Sequence, residues 1–330
     1  MYKITYQVWI GGKEQKAITS ISIKKSATTL TDTCIISMPL LVNNKKVASI
    51  KSIQRGQEVS VYLGYDGRNN LEFLGYVKAV REVDNGVEID CEDSLFLFRS
   101  VPMDDAEYKN ISAKELIKKS IDAVNDSEYS RFFIDAEINI DYKYSKFTCK
   151  TASAYDVIEK IHKETKARFY FNEMQTRLIV CPQYLEEGAG EVKYSMSKNI
   201  DKDGMSLEWV GNDAPLIVEV EGTATIDGKT QKTTATAGKI GGDRIVEKIK
   251  GITDLATLQS IADDMYKART QEGYRGSFQS WLRPLVWVGD TAVIEEDAEM
   301  RGGKYYIKSV ETSVSSSGGI RKIELGQKIK

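Results

Sequence analysis

The feature that most constrains this chain is a short β pattern that occurs twice. Gly56 opens the first copy, and Val77 lies in the strand-like run that follows it. Gly289 opens the second copy, and Ile307 takes the place of Val77. The two separations are similar, 21 and 18 positions. The pattern favours two copies of one β unit, but turns and strands alternate similarly in many β domains, so a chance likeness is the alternative.

The chain length sets the number of units. A chain of 330 residues is too long for one ordinary hydrophobic core. Alternating apolar residues with Gly, Asn and Asp turns, such as the turn at 84–86, predict a β sandwich or barrel over residues 1–104. Residues 105–200 read as a small α/β domain, and residues 201–330 as a second β domain with a leading helix. The predicted class is therefore α+β, mainly β.

Helix signals mark the middle domain. At Ile111 the apolar period changes from two to about 3.6, and Ser112 with Glu115 forms a capping-box pattern. A second helix is expected to begin at Ser153, with Asp156 in the third position. Two strand-like runs follow this helix, which predicts two helices on a short sheet.

The third domain begins with a hairpin and a helix. Asp227 and Gly228 supply the positive φ angles of a tight turn, and the charged stretch 239–250 reads as a loop. An amphipathic helix then starts after Thr253 or Asp254. The structural turn glycines predicted across the whole chain are Gly56, Gly228 and Gly289.

Composition argues against several functional classes. The net charge of −2 argues against a protein whose main role is to bind phosphate groups. Aromatic residues are not grouped with Lys and Arg, as they are on surfaces where the bases of single-stranded nucleic acid stack. No apolar run approaches the roughly 20 residues that cross a bilayer. Four cysteines lie far apart in apolar contexts, which favours buried thiols over a metal or disulfide framework.

No active site is apparent in the sequence. His162 is the single histidine, and its place beside an apolar helix stripe favours a partly buried helix residue over a catalytic base. The phosphate-loop and dinucleotide motifs are missing. The densest acidic clusters, Glu295-Glu296-Asp297 and Asp104-Asp105, fall where turns are expected and fit solvated loops better than a carboxylate pair. The sequence predicts no catalytic, cofactor or metal residue.

The order of units resembles a known family. The likeness is carried by Gly75-Tyr76-Val77 through Glu92-Asp93-Ser94-Leu95, Ser153-Ala154-Tyr155-Asp156-Val157-Ile158 through Ala167-Arg168-Phe169-Tyr170, Leu255 to Arg269, Val288-Gly289-Asp290, and Tyr305-Tyr306-Ile307-Lys308-Ser309-Val310. In this order the chain resembles the tail hub proteins of contractile phages, the late control protein family, and the hub part of type VI secretion spike proteins. The resemblance implies two tube-like antiparallel β-barrel domains around the small α/β domain.

The resemblance also implies a role and partners. Three chains would place six barrels in a ring that adapts the sixfold tail tube to the threefold spike. The implied partners are the chain itself as a homotrimer, the tail spike, the tail tube, and the tape measure and baseplate wedge proteins. The expected location is the virion tail baseplate, after assembly in the host bacterial cytoplasm. Since the chain stops at Lys330 without a needle-like module, a separate spike polypeptide is expected.

Two other functions stay open at the level of sequence. The acidic pairs permit a peptidoglycan hydrolase of a tail baseplate. A soluble binding protein that works as a monomer is the other possibility.

Overall fold

The structure is a computed structural model that describes residues 2–42, 45–47, 51–84, 86–184, 187–211, 215–239, 241–295 and 302–329. Its strands are β1 (Ile4–Ile10), β2 (Lys13–Glu14), β3 (Ser20–Ser26), β4 (Thr33–Pro39), β5 (Leu41–Val42), β6 (Lys45–Lys46), β7 (Glu58–Tyr65), β8 (Arg68–Val83), β9 (Gly86–Glu92), β10 (Ala106–Ser112), β11 (Asp135–Ile138), β12 (Lys143–Cys149), β13 (Arg168–Phe171), β14 (Arg177–Cys181), β15 (Glu191–Ser195), β16 (Asp201–Val210), β17 (Leu216–Ile226), β18 (Lys229–Gly238), β19 (Asp243–Lys250), β20 (Gly273–Ser280), β21 (Thr291–Glu295), β22 (Gly303–Ser315) and β23 (Gly318–Ile329). Its helices are α1 (Leu95–Phe98), α2 (Ala113–Asn125), α3 (Ala154–Thr165) and α4 (Leu255–Thr270). The predicted mainly β composition is confirmed.

Two groups of six strands are connected in the same way. The first β unit has the strand order β3-β4-β9-β8-β7-β1, and the second β unit has the order β16-β20-β23-β22-β21-β15. In both units the first of the six strands along the chain pairs with the fourth, although β1 is antiparallel to β7 and β15 is parallel to β21. The shared order supports a true internal repeat over a chance likeness.

The turn that opens the fourth strand has the same hydrogen bonds in both units. The Gly56 N–H donates to the Val77 carbonyl at 2.8 Å, and the Gly289 N–H donates to the Ile307 carbonyl at 3.1 Å. Val77 and Ile307 each donate back to the carbonyl of the residue after the glycine. Two positions beyond each glycine, the chain pairs with the residue just before Val77 or Ile307. The two turns therefore occupy equivalent places in their units.

The middle unit contains α2 and α3 with two small sheets. One sheet is the antiparallel pair β10–β12, and the other has the order β11-β14-β13. The predicted capping box of Ser112 with Glu115 is confirmed at the start of α2. The predicted helix start at Ser153 is also confirmed, and there Ser153 and Asp156 form a second capping box. Each serine side chain accepts a backbone N–H that the first helical turn leaves unpaired.

The segment between β16 and β20 adds a further layer. Its sheet has the order β18-β17-β19, and α4 packs on β17 and β18. The apolar side chains Leu258, Ile261 and Met265 of α4 belong to the same hydrophobic cluster as the cores of α2 and α3. This hydrophobic cluster therefore contains residues from both sides of the predicted domain limit at residue 200. The domain limits 1–104, 105–200 and 201–330 stay a prediction.

Three sequence-based expectations need correction or refinement. Among the described residues neither β unit closes into a barrel; β3 pairs with β22 and joins both units in one open 13-stranded sheet. The run Leu95–Phe98, within a domain expected to be all β, is a short buried helix. The stretch 239–250 contains β19, because its residues pair in parallel with β17, a long-range contact that a charged segment does not signal by itself.

Candidate assembly interface

The joint between the two β units is a continuous strand pairing. Ser20–Ser26 of β3 lies antiparallel to the distal half of β22, from Ser309 to Ser315. On the outer face, the Lys24 ammonium lies 3.5 Å from the Glu311 carboxylate. On the inner face, Ile23 and its register partner Thr312 are buried. The joint thus has the pairing and alternation of an ordinary sheet interior.

A buried ion pair lies next to the joint. Arg321 of β23 donates to the carboxylate of Glu72 of β8, and both side chains are almost fully removed from solvent. Burial raises the pKa of Glu72, while the Arg321 charge lowers it. The Lys25 ammonium lies 3.3 Å from the centre of the Trp287 ring, and burial lowers the pKa of Lys25 to about 8. These contacts connect the two units across more than 200 residues of chain.

Two buried aspartates fasten the loops beside the joint. The Asp93 carboxylate accepts the Asp32 N–H at 2.8 Å and the Leu95 N–H at 3.0 Å. The Asp32 carboxylate accepts the Ser26 N–H at the end of β3 at 3.0 Å. Burial raises the pKa of Asp32 to about 6 and raises the pKa of Asp93 well above its ordinary value.

Within the described part of the chain, two peripheral strand segments are paired on one side only. Among the described residues, β16 has one neighbouring strand, β20. The distal part of β8, from Ala79 to Val83, pairs with β9 on one side, while its pairing with β7 ends at Tyr76. Val80 is 38% exposed and Val83 is 41% exposed. Such edges are templates for pairing with another chain.

The three predicted turn glycines all have left-handed backbone angles. The φ angles are +84° at Gly56, +76° at Gly228 and +95° at Gly289. Gly228 follows Asp227, whose φ is +49°, in the tight turn between β17 and β18. A Cβ atom at Gly289 would lie 2.8 Å from the Tyr170 hydroxyl oxygen, so this turn also lies against the middle unit. The sequence offered no signal for that close approach.

Those candidate catalytic residues that the structure describes have separate local surroundings. His162 is half-buried on α3, its Nδ1 lies 2.8 Å from the Ala167 carbonyl oxygen, and burial lowers its pKa. Asp104 and Asp105 are exposed, and Asp105 accepts the Thr151 N–H. Of the cluster 295–297, Glu296 and Asp297 lie outside the described residues, as does Asn85 in the turn at 84–86.

The cysteines are buried, free thiols. This agrees with the expectation of buried thiols drawn from their apolar sequence contexts. The four residues are Cys34, Cys91, Cys149 and Cys181. Within the described ranges, no group of three or more His, Cys, Asp or Glu side chains is placed to hold a metal ion. In the same part of the chain, no helix has the length and apolar character to cross a bilayer.

Comparison with known proteins gives matches in structure only. No family profile matches the sequence, and no curated protein matches it significantly. The tail protein from Neisseria meningitidis MC58 has 14% identity and a TM-score of 0.64, with 99% of this chain and 97% of that protein covered. The 43 kDa tail protein of prophage MuSo2 from Shewanella oneidensis has 11% identity and a TM-score of 0.64, with 98% of both chains covered.

A third match comes from a secretion system. It is an E. coli component of the type VI secretion system, described as structurally similar to T4 bacteriophage tail proteins. Its identity is 10% and its TM-score 0.62, with 98% of this chain and 77% of that protein covered. Because the identities are so low, the matches establish the fold and not an activity. The chain has the fold of phage tail and type VI secretion proteins, which confirms the predicted resemblance to the tail hub family at the level of architecture.

Proposed function

We propose that this protein is a structural baseplate hub of a contractile phage tail or a related injection system. Three copies form a ring that adapts the sixfold tail tube to the threefold spike. The partners are the chain itself, the spike and the tail tube, together with tape measure and baseplate wedge proteins. The protein works as a virion tail component assembled in the host bacterial cytoplasm, without catalytic activity of its own.

The observation that carries this proposal is the pair of equivalent six-strand units in one chain. A sixfold tube and a threefold spike differ in symmetry, and three chains with two like units each present six units to the tube. The units also lie side by side, since β3 and β22 join them within one sheet. An adaptor needs this arrangement, and it needs no nucleophile, metal or cofactor.

Oligomeric state is the first test. Native mass spectrometry or light scattering is carried out on the purified protein alone and after mixing with the spike protein of the same injection system. A homotrimer in either sample supports the hub. A monomer in both samples contradicts the hub and favours a monomeric binding protein. A twofold dimer also contradicts the hub.

A zymogram separates the hub from a cell-wall hydrolase. We expect no peptidoglycan cleavage by the purified protein. Cleavage that disappears when a single carboxylate is replaced would identify a hydrolase and refute the proposed absence of catalysis.

A further inference from the structure

We propose that copies of this chain associate by repeating the β3–β22 joint between molecules, with the open edge of β16 pairing in antiparallel register with the distal part of β8 of a second copy. This inference rests on the proposed ring and specifies the contact that closes it. Its key pair is Arg81 of one copy opposite Glu208 of the next.

The equivalence of the two units fixes the register on the β8 side. Val77 and Ile307 receive the same turn hydrogen bonds, and a bulge follows each of them before pairing resumes at Ala79 and Ser309. Counting from these anchors, residues 79–83 of β8 correspond to residues 309–313 of β22. That part of β22 is the segment that pairs with β3.

A second chain of pairings fixes the register on the β16 side. In the first unit, Val77 pairs with Cys91, Cys91 pairs with Cys34, and Cys34 pairs with Ile23 of β3.

In the second unit, the same three steps begin at Ile307, the counterpart of Val77. Ile307 pairs with Leu325, Leu325 pairs with Gly276, and Gly276 pairs with Leu207 of β16. Leu207 therefore corresponds to Ile23, and Glu208 corresponds to Lys24.

The intramolecular register then gives the intermolecular one. When β16 takes the place of β3 and the distal part of β8 takes the place of β22, the β3–β22 register gives five residue pairs between copies. They are Ala79–Val210, Val80–Trp209, Arg81–Glu208, Glu82–Leu207 and Val83–Ser206. Within the chain, Lys24 faces Glu311 as an ion pair. At the equivalent place between copies, Glu208 faces Arg81, so the charges are exchanged and remain complementary. Opposite charges directly across two strands stabilise a sheet, whereas like charges destabilise it.

Exposure supports the same pairing. Val310 is buried in the joint at 3% exposure, whereas its counterpart Val80 is 38% exposed. Pairing with β16 would cover Val80 as β3 covers Val310. Glu82 is the least favourable member of the set, because it stands where Thr312 is buried, opposite Leu207.

Disulfide trapping tests the register. In the variant Val83→Cys with Ser206→Cys, the two thiols lie in one register pair on the outer face, so oxidation should give a covalent trimer ladder on a non-reducing gel. The matched control inside the chain is Ser22→Cys with Ser313→Cys, an observed register pair that should oxidise without an increase in mass. The native cysteines are buried, which keeps the background low.

An out-of-register variant gives the opposite expectation. Val83→Cys with Glu208→Cys places the thiols two positions apart, beyond the reach of a disulfide without backbone movement. This variant should give little or no ladder. A ladder from it, with none from the Val83 and Ser206 pair, would show that copies meet in another register and would refute the inference.

Charge reversal gives a second measurement that does not depend on oxidation. Glu208→Arg places two cations in opposition and should weaken assembly several-fold. Glu208→Gln removes only the attraction and should weaken it less. The variants are made at Glu208 because Arg81 also holds Asp90 of its own chain at 2.7 Å. Circular dichroism of each variant confirms that it has folded. Equal assembly by the wild type and by Glu208→Arg would count against the Arg81 contact and the inference.

The experiment also separates this inference from the proposed function. A wild-type trimer in which no in-register cysteine pair is trapped leaves the hub standing and refutes the β16–β8 joint. A wild type that stays monomeric with and without the spike refutes both.

Discussion

At the scale of single residues, burial decides which polar side chains matter for stability. Glu72 and Arg321 are buried, and each charge offsets the desolvation cost of the other. Lys109 and Asp227 also form an ion pair, but their side chains are 49% and 76% exposed. Removing one member of a buried pair leaves a charge without a partner, whereas water replaces the missing partner at the surface.

We expect Glu72→Gln to lower the free energy of unfolding by about 3–5 kcal/mol, because it leaves the buried Arg321 guanidinium without its carboxylate. Replacing both residues, as Glu72→Leu with Arg321→Met, should cost less than the single change. Asp227→Asn is the surface control and should hardly change the urea midpoint. If Glu72→Gln is as harmless as the control, Glu72 and Arg321 are not a buried pair in solution.

The two turn glycines provide a matched comparison at the same scale. Gly56→Ala adds a Cβ with no atom within 4 Å, so it should cost only the backbone strain at positive φ, about 1 kcal/mol. Gly289→Ala adds the same strain and also brings a Cβ against the Tyr170 ring. Thermal unfolding should therefore show a larger loss of Tm for Gly289→Ala. The reverse order would contradict the close approach at Tyr170.

At the scale of elements, short polar contacts fix how segments meet. Asp93 holds the loop before β4 against the start of α1, and Asp254 caps α4 by accepting the Thr257 N–H at 2.9 Å. Their surroundings differ, because Asp93 is buried and Asp254 lies near the surface. Burial raises the pKa of Asp93, whereas the hydrogen bonds from Thr257 lower the pKa of Asp254.

The two aspartates should therefore affect the pH dependence of stability in opposite directions. The folded state holds the Asp93 proton more tightly than the unfolded chain does, so this contribution is complete below about pH 4 and is lost as pH rises through the folded pKa. The stability of the wild type relative to Asp93→Asn should fall as pH rises from about 4 to 7. Asp32, whose pKa burial raises to about 6, titrates in the same range, but it is present in both proteins, so the comparison with Asp93→Asn measures Asp93 together with its repulsion from Asp32. Lys25 is charged in both states over this range.

Asp254→Asn is the control for that measurement. Its lowered pKa means that stabilisation by the carboxylate is present above about pH 4 and is lost as pH falls. Urea midpoints of the three proteins between pH 3 and 7 check both signs. Parallel curves for the wild type and Asp93→Asn would refute the role given to Asp93.

At the scale of the whole molecule, the proposed contact between chains has the same strand pairing as the joint inside each chain. The β3–β22 joint is already formed in a single chain, whereas β16 and the distal part of β8 gain a second neighbour only on assembly under the proposed joint. When a strand edge becomes paired, its outward-facing backbone N–H groups form hydrogen bonds, and their hydrogens exchange with solvent more slowly. Assembly should therefore leave a specific mark on backbone exchange.

Hydrogen exchange should detect this mark. Outward-facing amides in residues 79–83 and 204–210 should exchange quickly in the dissociated chain and slowly in the trimer. Residues 20–26 should be protected in both states, which makes β3 the internal control. Because backbone pairing is little screened by salt, the protection should persist at moderate ionic strength. Unchanged exchange at both edges on trimer formation would contradict the β16–β8 joint.

Local signals in the sequence determined much of the secondary structure. The capping boxes at Ser112 and Ser153 and the tight turn at Asp227 and Gly228 follow from hydrogen bonds and φ preferences within a few residues. Gly56 and Gly289 marked the two copies of the β unit for the same reason, because a left-handed turn favours glycine wherever the unit occurs.

Only the tertiary structure decided how those pieces meet. Three features join segments that a local pattern cannot relate: the pairing of β3 with β22, the burial of Glu72 against Arg321, and the parallel pairing of β19 (Asp243–Lys250) with β17. Their energies come from solvent exclusion and from backbone hydrogen bonds between distant residues. The open edges at β8 and β16 also emerge only in three dimensions, since an edge is defined by the neighbour that a strand lacks within its own sheet.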